Sequence, residues 1–318
     1  MKRRSLLVLA GLFLPTAALA FPERGITLIV PFGPAGSTDI AARLLADRLS
    51  ARLSARVVVE NRAGAGGAVG SEAAKRAMPD GHTLLFASAS SHGANPAVFQ
   101  DLPYDAVRDF DAVALTGVTP LALAVAPNGP RDLAALRGAL AEAPGTYGSA
   151  GAGSITHLAA ELFLARTQLR AEHIPYRGGG PALEALARGE VSFVFETLAS
   201  LSGIARDGRV RLLAVATPAR TPTWPELPTL EEGGLAPFDV STWNALLAPR
   251  GTPPARIATL AAAVQDCLAE PALAERLAGL GVAVPPPTGP EATSRFIAAE
   301  VAKFRGIAEG AGLRLERP

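Results

Sequence analysis

A single cysteine, Cys267, is all the sequence contains, so no disulfide can form within the chain. It falls on the apolar face of a helix expected over Ala255–Ala269, which reads as a buried inert thiol rather than a nucleophile. Histidine is scarce too. His82, His92, His157 and His173 are isolated, and no two stand at metal-ligand spacing. No metal and no cofactor is expected. There is no Walker A sequence and no G-x-S-x-G elbow. The run Arg62–Gly70 misses the dinucleotide fingerprint because Val69 stands where its third glycine belongs. Asp101, Asp105, Asp109 and Asp111 lack the glycine and glutamate of a calcium loop and read as caps of surface turns.

What is present begins with a leader. Lys2, Arg3 and Arg4 precede an apolar stretch from Ser5 to Pro15, and Thr16-Ala17-Ala18-Leu19-Ala20 follows as an A-x-A cleavage pattern. The stretch is short of the roughly 20 residues a membrane span needs. Residues 1–20 are therefore expected to be a signal peptide cut after Ala20, sending the protein to the periplasm. With no cysteine at the cut, a lipid anchor is not expected. The leader holds three of the 30 basic residues and no acidic one, which leaves 27 basic against 29 acidic. That balance offers no basic patch for nucleic acid. No later apolar run is long enough to span a bilayer, so a soluble, monomeric product is expected.

The rest alternates short β-branched runs with amphipathic stretches, the pattern of an α/β protein with mostly parallel sheets. Strands are expected at Ile26–Val30, Val57–Glu60 and Thr83–Ala87, and helices at Thr38–Ala51 and Ser71–Ala77. A second set runs from Leu121–Ala126 to Arg211–Ala216, with helices at Asp132–Ala143, Ile155–Thr167 and Pro181–Arg188. After Pro249 the chain turns helical, over Ala255–Ala269, Pro271–Leu280 and Pro290–Ala311. These three helices are expected to pack back on the first set, whose strands otherwise lack cover. Two lobes follow, 21–121 with 246–318 and 122–245, joined by crossings near Val118–Ala122 and Thr242–Ala248.

Two glycine-rich turns each link a strand to a helix: Pro31 to Asp39, and Gly148 to Thr156. Such a turn exposes backbone N–H groups at the positive end of a helix dipole, where an anion is favoured. The hydroxyls of Ser37, Thr38, Ser154 and Thr156 add neutral donors. Either turn alone is as easily a capped strand–helix connection. One in each lobe makes a cleft that binds an anion the better reading. A third turn, Ser88-Ala89-Ser90-Ser91-His92, reaches the same edge. His157 is open between packing and ligand contact.

An ordered set of motifs then resembles the Bug family, the extracytoplasmic solute receptors of tripartite tricarboxylate transporters. It includes Ile29-Val30-Pro31-Phe32 with Gly36-Ser37-Thr38-Asp39, then Glu60-Asn61-Arg62-Ala63-Gly64-Ala65-Gly66-Gly67 and Pro79-Asp80-Gly81-His82. Leu102-Pro103-Tyr104-Asp105, Ser149-Ala150-Gly151-Ala152-Gly153-Ser154, Pro175-Tyr176-Arg177-Gly178 and Leu227-Pro228-Thr229 continue it. The resemblance spans the chain from Ile26 onward. It implies a two-lobed periplasmic-binding-protein fold, type II-like, that closes on small carboxylates and delivers them to membrane transporter subunits. It also implies that the first and second turns grip a carboxylate through amides, small hydroxyls and water. Two positions depart from the family's pattern: Ala35, where glycine is usual, and Glu196, where aspartate is usual. Glu196 is expected to face the cleft, shortening it or meeting a ligand amino group.

The residues expected at the ligand are Phe32, Ala35, Gly36, Ser37, Thr38 and Asp39 in the first turn, and Ser88, Ser90 and Ser91 in the third. The second turn supplies Ser149, Ala150, Gly151, Gly153, Ser154, Thr156 and His157, and Tyr176 and Glu196 lie beyond it. The reading is a transport receptor with no catalytic residue. The alternatives are a ligand sensor that signals to a membrane kinase, and a hydrolase or transferase acting through Ser37 or Ser154. Neither serine has a convincing base beside it in the sequence.

Overall fold

The structure is a computed structural model that describes residues 21–34, 36–286 and 289–316. Leader, cleavage point and Ala35 lie outside the described residues. The first lobe opens with β1 (Ile26–Val30), α1 (Ser37–Leu53), β2 (Val57–Asn61), α2 (Ala68–Lys75) and β3 (Thr83–Ser88). A single turn of π-helix at Ser90–Ala94 and the short α3 (Asn95–Val98) follow. The long β4 (Phe110–Val125) then leads to α4 (Leu133–Glu142), β5 (Gly145–Ser149), α5 (Ile155–Thr167), β6 (Ala171–Pro175) and α6 (Gly179–Ala187). After β7 (Phe193–Thr197), α7 (Leu198–Arg206) and β8 (Arg211–Val215), the chain returns along β9 (Ser241–Pro249). It ends in α8 (Pro254–Leu268), α9 (Pro271–Gly279) and α10 (Pro290–Gly310).

Local chemistry accounts for most of these boundaries. Ser154 caps α5 through the amide of His157, Asp132 caps α4 through Ala135, and Thr197 caps α7 through Ser200. The last three helices each start on a proline, whose missing N–H is one that a first turn leaves unused. The α5 range matches the sequence expectation because both its ends carry local signals, the Ser154 cap and a left-handed Gln168.

One nine-stranded sheet runs through both lobes in the order β2-β1-β3-β9-β4-β7-β5-β6, with β8 also on β4. Strands β1, β2 and β3 pair in parallel, as do β5, β6 and β7. The centre is antiparallel, which departs from the mostly parallel expectation: β4 pairs with β9 from Phe110↔Pro249 to Pro120↔Ser241. From Leu121 onward β4 pairs instead with β7 and β8. Prolines close both ends of the β4–β9 ladder, because neither has an N–H to donate. Thus β4 carries the chain from one lobe to the other and β9 carries it back. The first half of β4 escapes sequence reading, because Gly117 and Pro120 look like turn residues until a partner from far along the chain lies beside them.

Helices cover both faces. On one face α1, α8 and α9 pack over the first lobe around Leu28, Leu45, Leu246 and Leu260, and α6 and α7 over the second around Leu186, Val194 and Leu201. On the other face a single core runs through both lobes, from Leu85 and Phe110 to Leu158, Phe193 and Phe195. The helix α10 belongs to this shared core. Its buried Ile297, Val301, Phe304 and Ala308 pack on β4, α3 and the π turn, and also on α5. It therefore reaches α5 of the second lobe as well as the first lobe, not the first alone. No single helix among the described residues is long and apolar enough to cross a membrane. The α8–α9 pair, apolar taken together, is bent by 75° and lies on α1.

Candidate ligand-binding site

The turns after β1, β3 and β5 are linked in series: Phe32 and Ser91 both lie against Gly67, and Ser90 reaches the start of α5. On the first lobe, β1 runs into Pro31 and Phe32, and α1 starts at Ser37 after Gly36, which is extended at φ −76°, ψ 163°. No side chain caps this helix, and Gly36 and Ser37 are exposed. Among the described residues, no side chain accepts from its first-turn amides. Asp39 is placed differently from the expectation. It is 2% exposed, accepts from Arg43 Nε at 3.0 Å and from Asn61 Nδ2 at 2.8 Å. Asn61 also donates to the carbonyl of Phe32 at 3.0 Å, and Arg43 donates to Asn61 Oδ1 at 2.9 Å. Asp39, Arg43 and Asn61 thus form the brace that holds the turn. Sequence reading quoted Asn61 in a motif but gave it no role, and the brace is visible only when β2 lies beside β1.

Replacing Asp39 with alanine strands two donors and is expected to cost about 1–3 kcal/mol of stability. Urea unfolding of the variant checks this, and an unchanged midpoint would show that the turn holds without the brace.

The other first-lobe turns converge on Gly67, whose φ is +98°. A Cβ there would stand 3.0 Å from Cβ of Ser91 and 3.2 Å from Cζ of Phe32. Only glycine both adopts this backbone and admits the neighbours. Ser88 and Ser91 spend their hydroxyls within their own turn: Ser91 Oγ accepts from the Ser88 amide and lies 3.0 Å from Nδ1 of His92. Ser90 reaches further. Its Oγ accepts from the amide of Ile155 at 3.3 Å, joining the third turn to the start of α5.

The second turn is tied largely to itself. Thr156 Oγ1 accepts from the Ala150 amide at 2.9 Å, Ser149 Oγ from Gly151, and Nδ1 of His157 from Gly153 at 3.1 Å. Gly153 sits at φ +75°, and a Cβ there would press on Phe99 at 2.7 Å. His157 is resolved toward packing. Its ring stacks on His173 with centroids 3.9 Å apart, and His173 stacks on Tyr147. Burial, with His173 adding to it, pushes His157 down to about 3, and burial pushes His173 to about 4. Both rings are neutral at physiological pH.

Ser149 Oγ lies 2.6 Å from Nε2 of His173, a serine–histidine pair that the sequence did not suggest. An imidazole with so low a pKa is a poor base, and Ser149 also donates to the Gly151 carbonyl. Ser154 spends its hydroxyl on Gly151 and on capping α5. Neither serine is arranged for attack.

Beyond this turn, the Tyr176 amide donates to the Ser149 carbonyl, and the Tyr176 ring lies against Gly148. Glu196, at the end of β7 opposite Ala122 of β4, is 7% exposed. Its Oε1 accepts from the Thr197 amide at 2.7 Å, and its carboxyl lies over Gly179. Burial pushes its pKa up, against the lowering effect of the Thr197 hydrogen bonds.

Two wound lobes joined by β4 and β9, with helix starts gathered between them, define a two-lobed solute-binding protein. The chain belongs to the family described as tripartite tricarboxylate transporter family receptor, which matches residues 41–313. It is similar to protein BugT of Bordetella pertussis, at 37% identity over 99% of this chain and 100% of BugT. Among solved structures it is similar to MatC of Rhodopseudomonas palustris with bound malate. The identity there is 33%, the TM-score 0.85, and the match covers 90% of this chain and 99% of MatC. A second R. palustris protein, with adipate, matches at 31% identity and TM-score 0.87, over 93% of this chain and all of that one. The family and these structural neighbours are binding proteins, not enzymes.

Proposed function

We propose that this protein is a periplasmic receptor, freed by cleavage after Ala20, that captures a small carboxylate and delivers it to membrane transporter subunits. The start of α1, with no side-chain cap and braced by Asp39, Arg43 and Asn61, carries this reading. Amides at a helix start favour a negative group, and each hydrogen bond to a charged group contributes about 1.5–3 kcal/mol. Malate on MatC and adipate on the second R. palustris protein support the ligand class. Family membership supports the transporter. The contacting set is Phe32, Gly36, Ser37 and Thr38, faced by Ser149, Ala150, Gly151, Tyr176 and Glu196. Asp39, Ser88, Ser91, Thr156 and His157 hold the turns. The lobes comprise 21–121 with 246–318, and 122–245, and the protein works as a monomer without catalysis.

Native mass spectrometry of gently purified protein is expected to show a co-purified small acid. Calorimetry then compares that acid with its methyl ester, which lacks the charge. The ester is expected to bind at least about tenfold more weakly, about 1.4 kcal/mol. Equal affinities would sink the helix-start anion site.

A further inference from the structure

At the start of α5 the helix and the second turn cap each other. Ser154 accepts from the His157 amide at 3.3 Å, and His157 reaches back with Nδ1 to accept from the Gly153 amide at 3.1 Å. A capping box places glutamate or glutamine where His157 stands, and either brings an oxygen that accepts. Histidine is different. A neutral imidazole has one nitrogen that donates and one that accepts, and it can exist in either tautomer. Nδ1 accepts from Gly153 only while the proton sits on Nε2. With the proton on Nδ1, two donors would face each other.

The far side of the ring decides where that proton sits. Oε1 of Glu161, one helical turn on, lies 3.7 Å from Nε2 of His157. That is long for a hydrogen bond, but close enough for the charge to favour an N–H over a lone pair at Nε2. The same oxygen accepts from the hydroxyl of Tyr147. Tyr147 is fully buried on β5, and burial, then Glu161, pushes its pKa up, so the phenol stays a donor. Among the described residues no Lys or Arg pairs with Glu161. Burial holds the His157 ring neutral, which leaves a choice between tautomers and not between charge states. Glu161 itself is outside the turn: it lines a groove with Leu164 and Leu169 and with Ala311 beyond α10. His173, stacked on His157, meets the other end of the turn through Ser149.

We propose that Glu161 is a positioning residue for ligand capture: its carboxylate holds His157 in the Nε2–H tautomer, Nδ1 then accepts from Gly153, and the turn keeps the shape in which it meets a ligand carboxylate. Only the last of these steps rests on the receptor reading of the cleft. The Gly153 amide is spent on the ring, so His157 fixes the Ala152–Gly153 peptide and does not contact the ligand.

The test reads the mature protein in two ways. Long-range proton–nitrogen NMR correlations report the imidazole tautomer, and hydrogen exchange reports the Gly153 amide. Wild type is expected to show His157 as Nε2–H. Glu161→Met, similar in length but without an acceptor, is expected to populate Nδ1–H and to speed Gly153 exchange at least about tenfold. Calorimetry with malate and adipate, the acids held by the two R. palustris proteins, is expected to show binding weakened at least about tenfold. His157→Asn separates positioning from general damage, because its Oδ1 stands in for Nδ1 and accepts whatever Glu161 does. In that background Glu161→Met is expected to move affinity and exchange by less than about twofold. An equal loss in both backgrounds overturns the inference, because Glu161 would then act through the stability of the lobe alone. So does a wild-type tautomer with wild-type exchange in Glu161→Met. If that variant does not fold, Tyr147→Phe combined with Glu161→Met, which leaves no buried phenol unpaired, takes its place. If wild type binds neither acid, the receptor reading loses the support of those relatives, while tautomer and exchange still decide this inference.

Discussion

Trp243→Ala is expected to lower the free energy of unfolding by about 3–5 kcal/mol, the usual cost of emptying a large buried aromatic site. Trp243 sits on β9, is 1% exposed, and packs edge-on against Phe296 with centroids 5.4 Å apart. Its Nε1 donates to Oε2 of Glu300 at 2.9 Å, and Glu300 is itself 8% exposed, with Lys303 on its other oxygen. Removing the indole opens a cavity and takes a donor from a buried carboxylate, which adds to the loss. The site also ties β9, one of the two strands between the lobes, to α10. Set against a total stability of about 5–15 kcal/mol, the variant is expected to be marginal. Urea unfolding followed by far-UV circular dichroism measures it, and a loss below about 1 kcal/mol would show that the surrounding core closes over the gap. Trp243→Phe, which keeps most of the volume, is expected to cost less.

Acid is expected to unfold this protein well above the pH at which most carboxylates protonate. Burial pushes His92 down to about 3, burial and then His173 push His157 to about 3, and burial pushes His173 to about 4. In the unfolded chain all three return to about 6.5. Between the two values the unfolded state binds more protons than the folded one. Stability is therefore complete above about pH 6.5 and is lost as pH falls below it. The two most deeply buried, His92 and His157, together remove about 4 kcal/mol on going from pH 7 to pH 5. His173 adds to this by a smaller amount because it is partly exposed. Glu196 works in the opposite direction. Its raised pKa means that falling pH relieves a penalty, but it is one group against three. Urea midpoints at pH 7, 6 and 5 are expected to fall steeply, and His157→Gln to flatten part of the slope. Equal midpoints across that range would mean that these rings are not buried neutral.

The histidines show why part of the site was not readable in advance. As letters, His157 and His173 are sixteen positions apart with nothing to link them. They meet because β5 and β6 pair side by side, which puts His173 opposite Tyr147 while α5 lies across the sheet. Asp39 is a similar case. Its place after Gly36-Ser37-Thr38 suggested a ligand contact, yet Asn61 from the neighbouring strand turns it into a brace. The α7 helix was missed because it follows β7 with no turn residue between them, and its one local signal was Thr197 as a cap. Elements with their own punctuation were readable. Gly36 and Ser54 bracket α1, Ser154 and Gln168 bracket α5, and prolines open the last three helices.

The sequence by itself determined the alternation of strand and helix, the glycine-rich turns and the resemblance to a receptor family, because period, capping and φ preference act over a few residues. Tertiary structure alone decided that β4 pairs antiparallel first with β9 and then with β7 and β8, and that α10 reaches α5 of the second lobe. It alone decided that Asp39 braces the first turn and that the Glu196 carboxyl lies buried against Gly179. These outcomes depend on residues far apart in sequence sharing one small, poorly hydrated space. There the partners of a buried charge are set by the fold, not by its neighbours along the chain.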